Sequence, residues 1–101
     1  MKILHLTLQK KPFEVTLSGE KKIEYRQKSN WIESRLFDKE YDLVKFVNGY
    51  GAHLPFMIFE FLRWEEARPA IHSFSNGLVV NVKKGDYAIY LGKLIETGNI
   101  R

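Results

Sequence analysis

Gly19-Glu20-Lys21-Lys22-Ile23-Glu24-Tyr25-Arg26 puts a helix-stopping glycine, a lysine pair, a carboxylate and an arginine within eight residues. Gly19 suits the left-handed position that follows a helix, where a Cβ is penalised. In a strand after it, side chains alternate, so Ile23 and Tyr25 share one face while Glu24 and Arg26 share the other. The apolar pair is expected to enter a core. The charged pair, about 7 Å apart along the strand, is expected to line an open face, with Lys21 leaning over it from the turn.

On the N-terminal side, residues 3–9 alternate, with Leu4, Leu6 and Leu8 on one face and His5, Thr7 and Gln9 on the other. That is the pattern of a half-buried strand. Pro12 is favourable at the first helical position, because its missing N–H would be unpaired there anyway. A short helix over 12–18 follows, with Phe13, Thr16 and Leu17 at helical spacing toward the core. On the C-terminal side, a strand over 22–27 leads to Asn30, a helix cap with Glu33 three residues on. The expected second helix covers 31–37. Residues 42–48 read as a strand closed by the turn Asn48-Gly49-Tyr50-Gly51. Residues 55–64 are apolar on both faces over most of their length, which suits the centre of a closed sheet. Glu60 interrupts that run, and 65–69 ends it. Another strand begins at Asn76-Gly77, and Lys83-Lys84-Gly85-Asp86 turns it into a strand over 87–91. The tail from Gly92 reads as a short strand or loop.

About six short strands and two short helices near the N-terminus make an α+β chain, and a small closed barrel removes the exposed strand edges. The length of 101 residues suits one domain spanning 1–101. An apolar fraction of 45% argues for a folded protein over a disordered tail. No apolar run approaches the roughly 20 residues that span a bilayer, so no membrane partner and a cytoplasmic location are expected. There is no cysteine, and the three histidines His5, His53 and His72 are isolated, so no metal is expected. Walker loops, dinucleotide fingerprints and Ser-His-Asp motifs are missing too, and no cofactor is implied. The net charge of +4 suits a polyanionic partner.

The pattern G-x-K-x-x-E-x-R at Gly19, Lys21, Glu24 and Arg26 resembles the signature of the ASCH domains, a branch of the PUA-like β-barrel superfamily. The order and length of the predicted elements are similar over nearly the whole chain. The resemblance implies a PUA-like barrel with its helices at one opening. It also implies a cleft between barrel and helix that takes RNA or a modified base. One group in the family hydrolyses the acetyl amide of N4-acetylcytidine, with a lysine at the position of Lys21. That group has a threonine where this chain has Glu24, and uses a further glutamate, for which Glu60 and Glu65 are the candidates here.

Three function classes follow. The first is a binding module for RNA or a modified nucleotide, with Lys21, Lys22 and Arg26 as ligand anchors. Arginine holds phosphates and base edges with a bidentate fork, and Trp31 and Tyr50 supply rings on which a base can stack. The basic pairs Lys10-Lys11 and Lys83-Lys84, with Lys28 and Arg35, would form its rim. The second is an amidohydrolase on a modified nucleobase, with Lys21 and Glu24 as catalytic residues and Glu60 as a possible second carboxylate. The third is a regulatory protein-interaction domain.

Overall fold

The computed structural model describes residues 1–100, and among them the chain forms seven strands and two helices in α+β order. A strand, β1 (Ile3–Leu8), leads into a helix, α1 (Lys10–Leu17). Pro12 sits inside the first turn of α1, where backbone N–H groups lack helical partners in any case. Gly19 follows with a φ of +87°, the left-handed conformation expected of it, and its N–H closes on Thr16 O at 3.2 Å. The N–H of Lys21 then reaches back to Val15 O at 3.1 Å, which ties the turn under the last residues of α1.

Next come β2 (Ile23–Arg26) and α2 (Asn30–Leu36). The cap of α2 is Ser29, one residue earlier than the sequence suggested; its hydroxyl accepts from Ile32 N at 3.2 Å. That leaves Glu33 free of capping, and it accepts the Tyr87 hydroxyl instead. The remaining strands are β3 (Leu43–Asn48), β4 (Phe56–Glu66), β5 (Ala70–Ser73), β6 (Val79–Val82) and β7 (Tyr87–Gly98).

Five strands form one curled, half-barrel sheet in the order β1-β3-β4-β7-β2, so the doubly apolar β4 is central, as its composition required. β1 and β3 run parallel, while β3–β4, β4–β7 and β7–β2 are antiparallel. The concave core gathers Leu4, Leu6, Phe46, Met57 and Ile89 with Ile32 and Leu36 of α2. Each such side chain contributes roughly 1.5–3 kcal/mol by leaving water. The edges β1 and β2 are joined by a side chain: Arg26 Nη2 donates to Thr7 O at 2.9 Å.

Two strands exceed their expected lengths, and one was not foreseen. β4 continues to Glu66 and β7 to Gly98 because the two pair along their length. β5 pairs with β6 as a separate two-stranded sheet.

The faces of β2 are the reverse of the expectation. Cross-strand partners share a face, and Glu24 opposes Ile89 while Arg26 opposes Tyr87, both core residues. Glu24 is therefore buried on the concave side. Ile23 and Tyr25 oppose Tyr90 and Ala88, and they pack in a second cluster with Ala67, Val80 and Val82. The second sheet supplies part of that cluster, so the apolar pair finds its own cover on the convex side.

Candidate functional site

The turn after α1 and the start of β2 bring Lys21, Glu24 and Arg26 together. Lys21 Nζ donates to Glu24 Oε1 at 2.5 Å, and Arg26 Nε donates to Glu24 Oε2 at 2.8 Å. The side chains of Lys21 and Glu24 are only 3% and 5% exposed, and that of Arg26 is 22% exposed. Both carboxylate oxygens of Glu24 are thus engaged. A buried charge persists only when it is paired and hydrogen-bonded, and here one carboxylate faces two cations. The cluster keeps a formal excess of one positive charge.

Lys21 also lines a cleft of about 440 Å³ between α1 and the sheet. Its walls are Thr16 and Leu17 from α1, Gly19 and Lys22 from the turn, Phe59 from β4, and Leu91, Gly92 and Leu94 from β7. The size falls within the roughly 300–1,000 Å³ of small-molecule sites, and an apolar wall with few polar groups is their usual character.

A β-bulge shapes one wall. Phe59 pairs with Leu94 and Phe61 with Leu91, so Gly92 and Lys93 together face the single residue Glu60. Glu60 accepts from Lys93 N at 2.8 Å, which satisfies a ladder donor that the bulge displaces. A Cβ on Gly92 would stand 2.9 Å from Glu60 Cβ, so only glycine fits there. Glu60 is exposed, and its carboxylate holds the bulge.

The other candidates lie apart from the cleft walls. Trp31 is half-exposed on α2, with the Arg35 guanidinium 5.1 Å over its ring. Tyr50 is 91% exposed on the loop between β3 and β4. Glu65 is exposed and accepts the Tyr90 hydroxyl, a bond that lowers its pKa. None of the basic residues expected at the rim, Lys10, Lys11, Lys28, Arg35, Lys83 and Lys84, lines the cleft. Lys22 borders the cleft, whereas Lys83 borders a second hollow of about 320 Å³ with Tyr25, Arg26, Gln27, Val80, Asn81 and Asp86. Asp86 is spent there on backbone N–H groups, those of Lys83 and Lys28.

Thr16, Phe59, Gly92 and Leu94 are the site residues that sequence reasoning missed. Thr16 was placed toward the core by its helical spacing, which is the one signal available for it. Among the described residues, no group of three or more His, Cys, Asp or Glu side chains is placed to hold a metal ion. No helix among them is long and apolar enough to cross a membrane. Compared with protein-family models, curated proteins and solved structures, the chain matches none.

Proposed function

We propose that this chain binds a nucleobase-sized ligand, a modified nucleoside free or within RNA, in the cleft between α1 and the sheet. The observation that carries this is the buried Lys21, which lines an otherwise largely apolar cleft and belongs to a cluster with one unbalanced positive charge. An ammonium has three donors, and Glu24 is the one acceptor seen for it among the described residues. A ligand carbonyl or anionic group would complete its shell, while Leu17, Phe59, Leu91 and Leu94 cover a flat apolar body. The resemblance of Gly19–Arg26 to the ASCH signature supports the same ligand class.

Recognition of the base is favoured over anchoring of a phosphate strand. Arg26 gives one donor to Glu24 and another to Thr7 O, so its fork is committed to the fold. Trp31 and Tyr50 lie outside the cleft walls and supply no stacking platform there. Calorimetric titration with cytidine, uridine, N4-acetylcytidine and short single-stranded RNA, at two salt concentrations, tests this. Saturable nucleoside binding with a shallow salt dependence is expected, since few phosphates would be neutralised. Lys21→Met should weaken it by tenfold or more, with circular dichroism showing that the variant stays folded. No binding of any of these ligands by the wild-type chain would overturn the proposal.

A second reading, hydrolysis of an acyl amide on the base, is favoured by the 2.5 Å contact between Lys21 and Glu24. In it, water attacks the acetyl carbonyl of N4-acetylcytidine, the C–N bond breaks, and cytidine and acetate leave. Lys21 would serve the reacting atoms. Glu24, with both oxygens occupied, would hold Lys21 in place rather than activate water. Chromatographic release of cytidine above a Lys21→Met control is expected on this reading. Its absence would leave binding alone.

A further inference from the structure

We infer that the hollow between the end of β2 and the turn from β6 to β7 is a second site, and that it takes the phosphodiester backbone of single-stranded nucleic acid. This goes beyond the cleft and stands whether or not the cleft holds a base. The hollow measures about 320 Å³, and its walls include Tyr25, Arg26 and Gln27 on one side and Asn81, Lys83 and Asp86 on the other.

One carboxylate builds this site without neutralising it. Asp86 is only 9% exposed. Its Oδ2 accepts from Lys83 N at 2.9 Å and its Oδ1 from Lys28 N at 3.4 Å. Its own N–H donates to Lys83 O at 3.1 Å. Asp86 therefore holds two lysine-bearing segments together by their backbones. The Lys28 side chain lies beside Gly85, where a Cβ would stand 3.8 Å from Lys28 Cδ, and Lys84 belongs to the same turn. Lys28, Lys83 and Lys84 are all exposed, and no ion pair among the described residues involves any of them. Three lysines against the single carboxylate of Asp86 leave two positive charges unbalanced. Glu66, on the neighbouring β4, lines a different hollow.

Crowding like charges costs stability, so packing alone gives no reason for three lysines here. The hollow beside Met1 makes the contrast. Lys2 and Lys39 line it together with Glu40 and Asp42, and there the charges balance. Around Asp86 the missing anion has to come from outside the chain. Ammonium groups hold phosphates as point charges, and the side-chain amides of Gln27 and Asn81 add neutral donors to the same walls. Tyr25 brings an aromatic ring to them. A basic groove beside an aromatic ring is the combination that single-stranded nucleic acid occupies.

The test follows the anisotropy of a short labelled oligouridine as wild type and variants are titrated at several salt concentrations. Wild type should bind it in a salt-dependent manner. Lys83→Gln/Lys84→Gln should bind about tenfold more weakly at low salt. It should also lower the slope of log affinity against log salt by roughly 1.4, at about 0.7 for each phosphate contact on a single strand. Lys28→Gln should lower that slope by about 0.7. Lys2→Gln/Lys39→Gln, which removes the same charge elsewhere, should keep the wild-type slope. Equal losses in that control would trace binding to general basicity and overturn the inference. It would be overturned as well by wild-type slopes in all the lysine variants, by no oligouridine binding to wild type, or by tighter binding to anionic phospholipid vesicles than to oligouridine. Uridine carries no phosphate and should bind wild type and Lys83→Gln/Lys84→Gln alike. Oligouridine binding that depends on these lysines, without uridine binding to wild type, would support this site and count against the cleft reading alone.

Discussion

Tyr87 shows how one hydroxyl can tie a helix to a sheet. It donates to Glu33 Oε2 of α2 at 2.5 Å, and its ring meets Phe37 and Trp64 edge-on. The bond to Glu33 and its burial hold the phenol protonated, and its pKa is pushed up to about 12. Because the folded value lies above the unfolded one, the associated stability is whole below the ordinary phenol value of 10.0. It is lost as pH rises from there toward 12, since the unfolded chain gives up its proton first. Chemical denaturation between pH 9 and 12 should therefore show a steeper alkaline loss in wild type than in Tyr87→Phe. Equal slopes would mean that the phenol does not bond to Glu33 in solution.

At the scale of elements, the hairpin β5–β6 clasps α1 from both sides, at its first turn and at the turn that follows it. Glu20 accepts from Ser75 N at 2.9 Å and from Ser75 Oγ at 2.6 Å, while Asn76 Nδ2 donates to Lys11 O at 3.0 Å. The two Ser75 bonds lower the Glu20 pKa from its ordinary 4.5. A lowered folded value means that the clasp contributes in full above 4.5 and fades as pH falls through the folded pKa. Glu20 is on the surface, so the effect should appear locally, as amide exchange at Ser75 and in β5–β6 that is faster relative to the intrinsic rate at the same pH below 4.5. In Ser75→Ala that acid-range acceleration should disappear, because exchange there would already be fast at neutral pH. Persistence of the pH step in Ser75→Ala would assign it to another carboxylate.

For the whole molecule, the two edge strands β1 and β2 of the curled sheet meet at a seam. Arg26 closes it by linking Glu24 to the Thr7 carbonyl. Arg26→Ala would leave a buried carboxylate with one cation and a strand carbonyl unpaired, at a cost on the order of 3 kcal/mol. Arg26→Lys keeps the charge but lacks the planar fork, so it should recover less than half of that loss. Urea denaturation of the three proteins reads this directly. Full recovery by lysine would mean that charge alone, and not the two-ended bridge, holds the edges.

The extent to which all this could be read in the residues differs from place to place. Gly19 announced a helix stop because a left-handed backbone has one inexpensive occupant, and it stands at +87°. Strand alternation placed Glu24 with Arg26 and Ile23 with Tyr25, since period two is a local property of the backbone. The doubly apolar run at β4 marked the centre of the sheet for the same kind of reason. Which face of β2 would look inward was beyond local chemistry. It depended on the β5–β6 sheet covering Ile23 and Tyr25 from outside, and on Lys21 folding back beneath α1 to pair with Glu24. The role of Glu60 was equally hidden, because a bulge is a mismatch between two strands far apart in the chain. The cleft is the sharpest case. Helical spacing sends Thr16 inward, but the cleft that it helps to line exists only once α1, the turn and β7 have met.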